Sequence, residues 1–291
     1  MPDAPSPEVR RRLLSNKLRE LREAAGMGAA EAAEAMGWDR TKLHRIESSR
    51  WKRLKPDDVR GLAELYKVNR SEQVEALVEL SEQARAKAWW SRYADILGGG
   101  RYVGLEAEAL TIRTYEALVI PGLLQTEEYT QALLSKVPNS PSPEEAERRL
   151  KARSARRVRL FHFEAPLRLY AIIDEAALRK AVGGREVMRR QVRSLLNDGE
   201  QANISIRVLP DSAGAHAGLG GPFTLLELPG APKGRLVFLE SAYDGRFLEQ
   251  ETAVQEYDLI YDALSSEALS EEESAALMRS LAEEESGAGQ P

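Results

Sequence analysis

Apolar residues recur at helical spacing through the first third of the chain. Leu14, Leu18, Leu21 and Ala25 lie three or four positions apart, and Gly26 follows as a stop signal, so this segment predicts a helix with one apolar stripe. The pattern predicts three more helices and a fifth that continues to position 97; they cover residues 29–36, 40–48, 56–66 and 69–97. We therefore expect an all-α N-terminal domain of five helices.

Local signals indicate where three of these helices begin. Asp39 is placed to cap the third helix with its carboxylate. Pro56 opens the fourth helix, at a position where the missing N–H of proline costs nothing. Asn69 and Glu72 have the spacing of a capping box for the fifth helix.

The remainder of the chain mixes two periodicities. Alternating or continuous apolar runs predict strands at 103–113, 117–120, 167–173, 203–209, 223–228, 235–240 and 245–249. Helical spacing predicts helices at 123–135, 143–160, 175–181, 185–198, 251–264 and 270–284. The last strands follow one another with short turns, which favours antiparallel pairing. We therefore expect an α+β C-terminal domain rather than a regular parallel sheet.

Proline and glycine mark the domain boundaries. Residues 1–8 contain three prolines, and a tail at 286–291 is rich in small residues, so both ends are predicted to be disordered. The Gly-Gly-Gly run at 98–100 is predicted to be a hinge. The resulting domains are 9–82, a linker helix and hinge at 83–100, and 101–285. Trp89 and Trp90 are predicted to pack between the two domains.

Composition excludes several classes of chemistry. The 291 residues contain no cysteine and three histidines, which excludes disulfides, thiol catalysis and cysteine-ligated zinc, and we expect no metal and no cofactor. The apolar runs are shorter than the roughly 20 residues that a membrane span needs, and the N-terminus lacks the apolar stretch of a signal peptide. We therefore expect a soluble cytoplasmic protein with no membrane partner.

Charge is divided unevenly along the chain. Residues 1–70 contain 16 Lys and Arg against 11 Asp and Glu, whereas residues 71–291 contain 25 against 35. A basic module on an acidic body suits a protein of which only the N-terminal part approaches a polyanion. Double-stranded DNA is the expected partner.

The third predicted helix has the side chains that a DNA-reading helix needs. Leu43 and Ile46 would face the core, and five polar or basic residues would project from the other side: Arg40, Thr41, Lys42, His44 and Arg45. The two arginines can contact guanine edges and Thr41 a base or a methyl group. Lys42 and His44 are expected to reach phosphates.

A basic loop follows this helix. It contains Arg50, Lys52, Arg53 and Lys55, which would add affinity and salt dependence rather than sequence choice. The alternative is that all these charges form only the solvated face of a helical bundle. We favour DNA binding because the charges concentrate on one short helix that follows a glycine turn.

The chain resembles known regulators at both ends. The run LSNKLRELREAAGMGAAEAAEAMGWDRTKLHRIESSR resembles the helix-turn-helix domain of the XRE, or phage-repressor-like, family. EAEALTIRTYEALVIPGLLQTEEYTQALL, IIDEAALRKAVGGREVMRRQV and VLPDSAGAHAGLGGPFTLLEL are similar to the C-terminal domain of actinobacterial regulators of the WhiJ-like, Scr-antitoxin-like group. The resemblance implies a cytoplasmic, homodimeric, antitoxin-like or developmental regulator. It also implies a palindromic operator and a small partner protein encoded beside it.

Two positions depart from the family pattern. The family usually opens its second helix with Thr-Gln or Ser-Gln, which contacts the DNA backbone, whereas this chain has Gly28 and Ala29. The glycine that usually follows the RIE segment is Ser49 here. The basic loop after Ser49 is longer than usual, and we expect it to replace the lost phosphate contacts.

The C-terminal domain offers three ligand or partner candidates. His216 and Gly218 lie in the glycine-rich run GAHAGLGG, which reads either as a turn or lid or as a ligand loop. Tyr129 lies in VIPGLLQTEEY, where Pro121 would start a helix that serves the core or docks a partner. Asp174 sits where a strand gives way to a helix, and we expect it to cap that helix.

An enzymatic alternative rests on three strand residues. Arg113, Thr224 and Glu240 resemble the trio with which ADP-ribosyltransferases hold a nicotinamide dinucleotide. Three polar residues on separate strands are commonly only edge positions, and the motifs of hydrolases, zinc proteases and P-loop proteins are absent from the sequence. We therefore expect a domain that binds or senses rather than catalyses.

Overall fold

The computed structural model divides the chain into two compact units, of which unit 1 ends at Arg92 and unit 2 begins at Tyr93. The described residues are 7–51, 53–84, 89–97, 100–137, 140–161, 166–229, 234–241 and 245–287. The predictions for residues 1–6, Lys52, Gly98, Gly99 and the last four residues of the tail lie outside these ranges.

The described part of unit 1 contains five α-helices, as the sequence predicts. Their bounds are α1 Pro7–Ala24, α2 Ala29–Ala35, α3 Arg40–Glu47, α4 Pro56–Leu65 and α5 Ser71–Gln83. Gly26 and Gly37 both adopt positive φ, at 71° and 67°, and so end the helices before them. The apolar faces of the helices form one core, which includes Leu14, Leu18, Leu43, Ile46, Val59 and Leu62.

The predicted helix starts are confirmed at α3 and α4 and wrong at α5. The carboxylate of Asp39 accepts a hydrogen bond from the backbone N–H of Lys42 at 2.9 Å, and Pro56 is the first residue of α4. The first residue of α5 is Ser71, and its cap Arg70 makes no side-chain capping bond, so Asn69 and Glu72 form no capping box.

Two predicted segments near the domain boundaries differ from the structure. Helix α1 begins at Pro7, inside the segment that we predicted to be disordered, because proline is well tolerated in a first helical turn. Helix α5 ends at Gln83, and Trp89–Tyr93 form a separate 3-10 helix rather than its continuation. The rings of Trp89 and Trp90 meet edge to face, with centroids 5.8 Å apart. Their packing between domains stays a prediction.

Unit 2 is built on one six-stranded mixed sheet. The strands are β1 Thr111–Glu116, β2 Arg168–Asp174, β3 Ile204–Leu209, β4 Phe223–Glu227, β5 Arg235–Glu240 and β6 Gly245–Leu248. Their order is β3-β2-β1-β4-β5-β6. The first three strands are parallel to one another, and β4, β5 and β6 add antiparallel ladders. The predicted α+β class is therefore correct, as is the antiparallel pairing of the late strands.

Seven helices accompany this sheet among the described residues. They are α6 Arg101–Glu108, α7 Glu127–Leu134, α8 Pro143–Arg157, α9 Glu175–Arg179, α10 Arg185–Asp198, α11 Glu251–Glu267 and α12 Glu271–Gly287. Helix α11 packs on one face of the sheet, where Val254 and Leu264 meet the buried side chains of β1 and β4. We call this side the α11 face and the opposite side the α6 face.

The strand predicted at 103–113 is helical in its first half. Gly100 adopts a left-handed conformation, with φ of 75°, at the N-terminus of α6, and the following Leu-Glu-Ala-Glu run is rich in helix formers. The alternation of apolar and polar residues in this segment therefore does not mark a strand. Helix α6 buries both the apolar Leu105 and the charged Glu106, so burial there does not follow polarity.

The segment from 117 to 126 is a connection rather than a strand and a helix start. Strand β1 ends at Glu116, so the strand predicted at 117–120 is wrong. Leu124 donates its N–H to the carbonyl of Pro121 at 2.8 Å, which closes a turn instead of opening a helix. Helix α7 begins only at Glu127, where the hydroxyl of Thr126 accepts from the N–H of Tyr129 at 3.3 Å.

Candidate nucleic-acid interface

The exposed side of α3 presents the predicted DNA-reading residues together. Four of them are exposed, namely Arg40, Thr41, His44 and Arg45. Leu43 and Ile46 lie on the other side of the helix and are at most 2% exposed. Because residues four apart share a face of an α-helix, the four exposed residues form a contiguous polar surface of long donor side chains. This surface has the composition of a recognition helix.

Lys42 is placed differently from the prediction. Its ammonium lies 3.6 Å from the centroid of the Trp38 ring and 3.4 Å from a carboxylate oxygen of Asp58. A cation over an indole ring and beside a carboxylate is held by both. Lys42 therefore links α3 and α4 in the free protein, and its predicted phosphate contact stays a prediction.

The basic loop after α3 is anchored in the core of unit 1. Trp51 and Leu54 are 6% and 1% exposed, and the indole N–H of Trp51 donates to the buried hydroxyl of Ser15 at 3.0 Å. The neighbouring basic residues Arg50, Arg53 and Lys55 are exposed. The predicted phosphate-holding residues Arg50, Arg53 and Lys55 are thus exposed beside two anchored positions, and Lys52 lies outside the described residues.

Ser49 occupies the left-handed conformation that the family pattern reserves for glycine. Its φ is 58°, and the N–H groups of Ser49 and Arg50 bond to the carbonyls of Ile46 and Arg45 at 3.2 and 2.8 Å. This is the Schellman arrangement that ends many helices, and glycine adopts it with the least strain. Ser49 thus stands in place of the usual glycine, and its backbone still adopts the left-handed conformation.

A buried ion pair ties the first helix to the recognition helix. The Arg22 guanidinium donates to both carboxylate oxygens of Glu47, at 2.6 and 3.0 Å, and to the carbonyl of Met27 at 2.8 Å. Both side chains are only 10% exposed. The hydrogen bond that Arg22 donates to Glu47 raises the pKa of Arg22, so the guanidinium stays charged. Sequence reasoning missed this pair, although Glu47 ends the RIE segment that carries the family resemblance.

The start of α2 has no side-chain cap. Gly28 is the N-cap residue, and its N–H donates to the carboxylate of Glu31 at 3.3 Å. A capping box has two hydrogen bonds, and here only the one from the N-cap N–H to the Glu31 side chain is made. This bond stands in place of the family's capping side chain. Gly28 has no side chain with which to contact a phosphate at this position.

The three residues of the enzymatic alternative do not converge. Arg113 lies on the α11 face, where its guanidinium bonds to Asp258. Thr224 pairs with Thr114, the neighbour of Arg113 on β1, and therefore lies on the α6 face, where the two threonine hydroxyls are 3.2 Å apart. Glu240 shares the α6 face with Thr224. The sheet thus separates Arg113 from the other two, which corrects the predicted trio.

The glycine-rich loop at 214–221 packs on β1. A Cβ at Gly218 would lie 2.5 Å from the ring of Tyr115, so this position accepts only glycine in the present packing. The His216 ring caps the short 3-10 helix Ala217–Gly220 by accepting from the N–H of Gly218 at 3.2 Å. The predicted ligand role of His216 and Gly218 stays a prediction, and both residues have structural tasks.

Asp174 and Tyr129 serve the fold. The carboxylate of Asp174 accepts from the N–H of Ala176 at 3.0 Å, which confirms the predicted cap of α9, and from the hydroxyl of Tyr115 at 3.2 Å. Tyr129 is fully buried, and its hydroxyl accepts from the N–H of Ile120 at 3.2 Å. Of the two roles predicted for the segment around Tyr129, the structure supports the core and not a docking surface.

The α6 face contains charged groups that sequence reasoning missed. The guanidinium of Arg156 donates to both carboxylate oxygens of Glu106, at 2.6 and 2.7 Å, and the Glu106 side chain is 3% exposed. Glu116 lies on the same side of the sheet. Burial, together with the charge of Glu240, raises the pKa of Glu116 to about 8. No local pattern marks these residues, because their burial depends on how α6 and α8 pack.

Two surveys of the described residues concern metals and membranes. They contain no group of three or more histidine or acidic residues placed to hold a metal ion. None of the helices in the described ranges has the length and apolar character needed to cross a membrane.

Two known families match the chain, and their matches meet near the boundary between unit 1 and unit 2. The family described as a helix-turn-helix domain matches residues 13–77, which identifies unit 1 as a domain of DNA-binding regulators. The family described as a domain of unknown function, DUF5753, matches residues 100–280. No match was found among the curated proteins or among the solved structures. The second match covers more than half of the chain, and the protein therefore belongs to the DUF5753 family and carries a helix-turn-helix domain before it.

Proposed function

We propose that the protein is a cytoplasmic, sequence-specific transcription regulator. Unit 1 binds double-stranded DNA, and unit 2 binds a ligand or a small partner protein that changes DNA binding. The observation that carries the proposal is the exposed row Arg40, Thr41, His44 and Arg45 on α3, the second helix of the helix-turn-helix pair. Such a helix lies in the major groove and reads base edges with its exposed side chains.

The exposed basic residues divide into two roles. Arg40 and Arg45 are long enough to contact guanine edges bidentately, and Thr41 to contact a base or a thymine methyl group. Arg50, Arg53 and Lys55 extend from the anchored loop at the end of α3, and their chemistry suits phosphates. Sequence choice therefore comes from α3, and affinity comes mainly from the loop.

We expect Arg40→Ala or Arg45→Ala to weaken binding to the selected operator by about 1–3 kcal/mol, because each removes one bidentate base contact per half-site. The operator is a duplex that the full-length protein selects from a random-sequence pool. Arg53→Ala is expected to weaken binding to every duplex alike and to reduce the slope of log affinity against log salt. Binding titrations at several salt concentrations measure both effects.

Arg60→Ala is the matched control. It removes the same charge from unit 1. The Arg60 side chain lies on α4, is exposed and forms an ion pair with Glu75 on α5 at 3.0 Å. We expect a change of less than about 0.5 kcal/mol in operator binding. If Arg40, Arg45 and Arg53 variants lose equal affinity for operator and unrelated DNA, the division into base-reading and phosphate-holding residues is wrong.

We further propose that the intact protein is a homodimer on a palindromic operator. One recognition helix contacts only a few base pairs, and regulators of this kind reach specificity by placing two helices about one helical turn of DNA apart. We expect sedimentation to give twice the chain mass and footprints to show two protected half-sites. A monomer at every protein concentration, with a single protected half-site, would contradict this proposal.

The sequence resemblance refines the second half of the proposal. The segments of unit 2 that are similar to the WhiJ-like, Scr-antitoxin-like group suggest an actinobacterial regulator that works with a small protein encoded beside it. Co-purification of the full-length protein from its native host, followed by mass spectrometry, tests this. A recurrent small protein encoded by the adjacent gene supports the antitoxin-like role, and its absence from repeated preparations contradicts it.

A further inference from the structure

A cleft of about 360 Å³ opens in unit 2 between α7, α8 and the region of Ser194 on α10. Its polar lining includes the hydroxyls of Thr126, Thr130 and Ser154 and the guanidinium of Arg153. A cleft of this size accommodates a small organic molecule. The polar groups of the cleft indicate the chemical class of the ligand that it would bind.

Arg153 differs from the neighbouring arginines of α8 in having no carboxylate partner. Arg156 bonds to Glu106, and Arg157 bonds to Asp198 at 2.6 Å. Arg153 donates instead to the neutral amide oxygen of Gln125 at 2.8 Å, and no described carboxylate lies within ion-pair distance of it. A guanidinium has five N–H donors, so this bond leaves most of its capacity unused.

The position of Arg153 is costly for an unpaired charge. Burial lowers the pKa of Arg153 to about 10, and the nearby charge of Arg156 acts in the same direction, while the charges of Glu240 and Glu106 offset part of this decrease. An anion bound beside Arg153 would offset both effects. The side chain of Glu127 also lines the cleft, but it is exposed and accepts a hydrogen bond from the hydroxyl of Ser154 at 3.1 Å.

Apolar side chains form the rest of the cleft wall. Leu150 lies one turn before Arg153 on α8, and Val158 and Phe161 follow α8 in a 3-10 helix. Among the described residues, Val158 and Phe161 are 63% and 44% exposed, so both side chains are accessible on this wall. A ligand with an apolar body would cover this wall while its anionic end reaches Arg153.

We propose that this cleft binds a small organic carboxylate with an apolar body, whose carboxylate pairs with Arg153 and whose body packs on Leu150, Val158 and Phe161. A planar guanidinium matches a carboxylate through two parallel hydrogen bonds. The hydroxyls of Thr130 and Ser154 already donate to Gln125 and Glu127, so Arg153 is the donor that the carboxylate would use. The regulatory meaning of the site rests on the proposed function, since binding here would supply the effector signal of unit 2. The binding itself does not depend on DNA.

The test titrates the full-length protein with hexanoate and phenylacetate and with their neutral analogues hexanamide and phenylacetamide, by ligand-observed NMR without DNA. We expect saturable binding of a carboxylate and at least about tenfold weaker binding of its amide, because a charge-assisted hydrogen bond contributes more than 1.4 kcal/mol. Arg153→Gln is expected to abolish the preference for the carboxylate. Arg149→Gln is the matched control, because Arg149 pairs with Glu145 one turn away, and it should retain the preference.

Arg153→Lys covers the case in which Arg153→Gln does not fold. It keeps the charge but removes the bidentate geometry, so carboxylate binding should weaken by about threefold to tenfold. Saturable binding of neither carboxylate, equal binding of acid and amide, or carboxylate preference unchanged in the folded Arg153 variants would each overturn the proposal. Failure of operator binding would instead contradict the proposed function and leave the result of this titration standing.

Discussion

Glu47→Ala is expected to lower the free energy of unfolding of unit 1 by about 3–5 kcal/mol, because it leaves the buried guanidinium of Arg22 without its charge partner. The two side chains form a two-bond ion pair at 10% exposure, and the pair joins α1 to the end of α3. All four tryptophans lie in unit 1, at positions 38, 51, 89 and 90. Tryptophan fluorescence during urea unfolding of the full chain therefore measures this unit directly.

Glu23→Ala provides the matched control for that experiment. Glu23 also approaches Arg22, at 3.7 Å, but its side chain is 61% exposed, so its loss should cost less than about 1 kcal/mol. If the Glu47 and Glu23 variants unfold at the same urea concentration, the buried pair does not stabilise the helix-turn-helix unit. At temperatures where the Glu47 variant stays folded, its operator binding should remain, because Glu47 is not among the exposed residues of α3.

Glu116→Gln is expected to change how the stability of unit 2 depends on pH. The pKa of Glu116 is raised by burial to about 8, against 4.5 for an ordinary glutamate. Between these values the folded state holds a proton that the unfolded state releases, so the stability of the wild-type protein falls as pH rises. Glutamine stays neutral, and the variant should therefore gain about 4–5 kcal/mol relative to wild type between pH 4 and pH 9.

Scanning calorimetry of the unit 2 transition at a series of pH values measures this difference. Glu240→Gln is the informative control, because Glu240 is the neighbouring charge that raises the pKa of Glu116. Removing that charge should make the loss of stability smaller and complete at a lower pH. Parallel pH profiles for the wild-type protein and the Glu116 variant would show that Glu116 titrates normally.

The features that could be predicted from the sequence depend only on residues close together along the chain. Asp39 and Asp174 mark helix starts because each accepts from a backbone N–H two or three positions away, and Pro56 marks one because its own fixed φ suits a first helical turn. The polar side of α3 is predictable for the same reason, since helical spacing alone separates Arg40 from Leu43. Lys42 is the exception on this helix, because its partner Asp58 belongs to another helix.

Features that depend on tertiary packing were not predictable from such patterns. Arg113 and Thr224 were grouped by residue type, but the pairing register of β1 with β4 places them on opposite faces of the sheet. The partners Arg22 and Glu47 are 25 positions apart, and no spacing rule links them. Arg153 is distinctive only because α8 turns it toward Gln125 rather than toward an acid.

The anchoring of Trp51 and Leu54 has a consequence for the thermodynamics of DNA binding. A flexible basic loop loses conformational entropy when it settles on a phosphate backbone, at roughly 1–2 kcal/mol for each residue that becomes ordered. In this protein the backbone around Arg50, Arg53 and Lys55 is already held by two buried side chains. Because Trp51 and Leu54 are already ordered, we expect less of the entropy of the released counterions to be offset by ordering of the chain than in an unanchored loop.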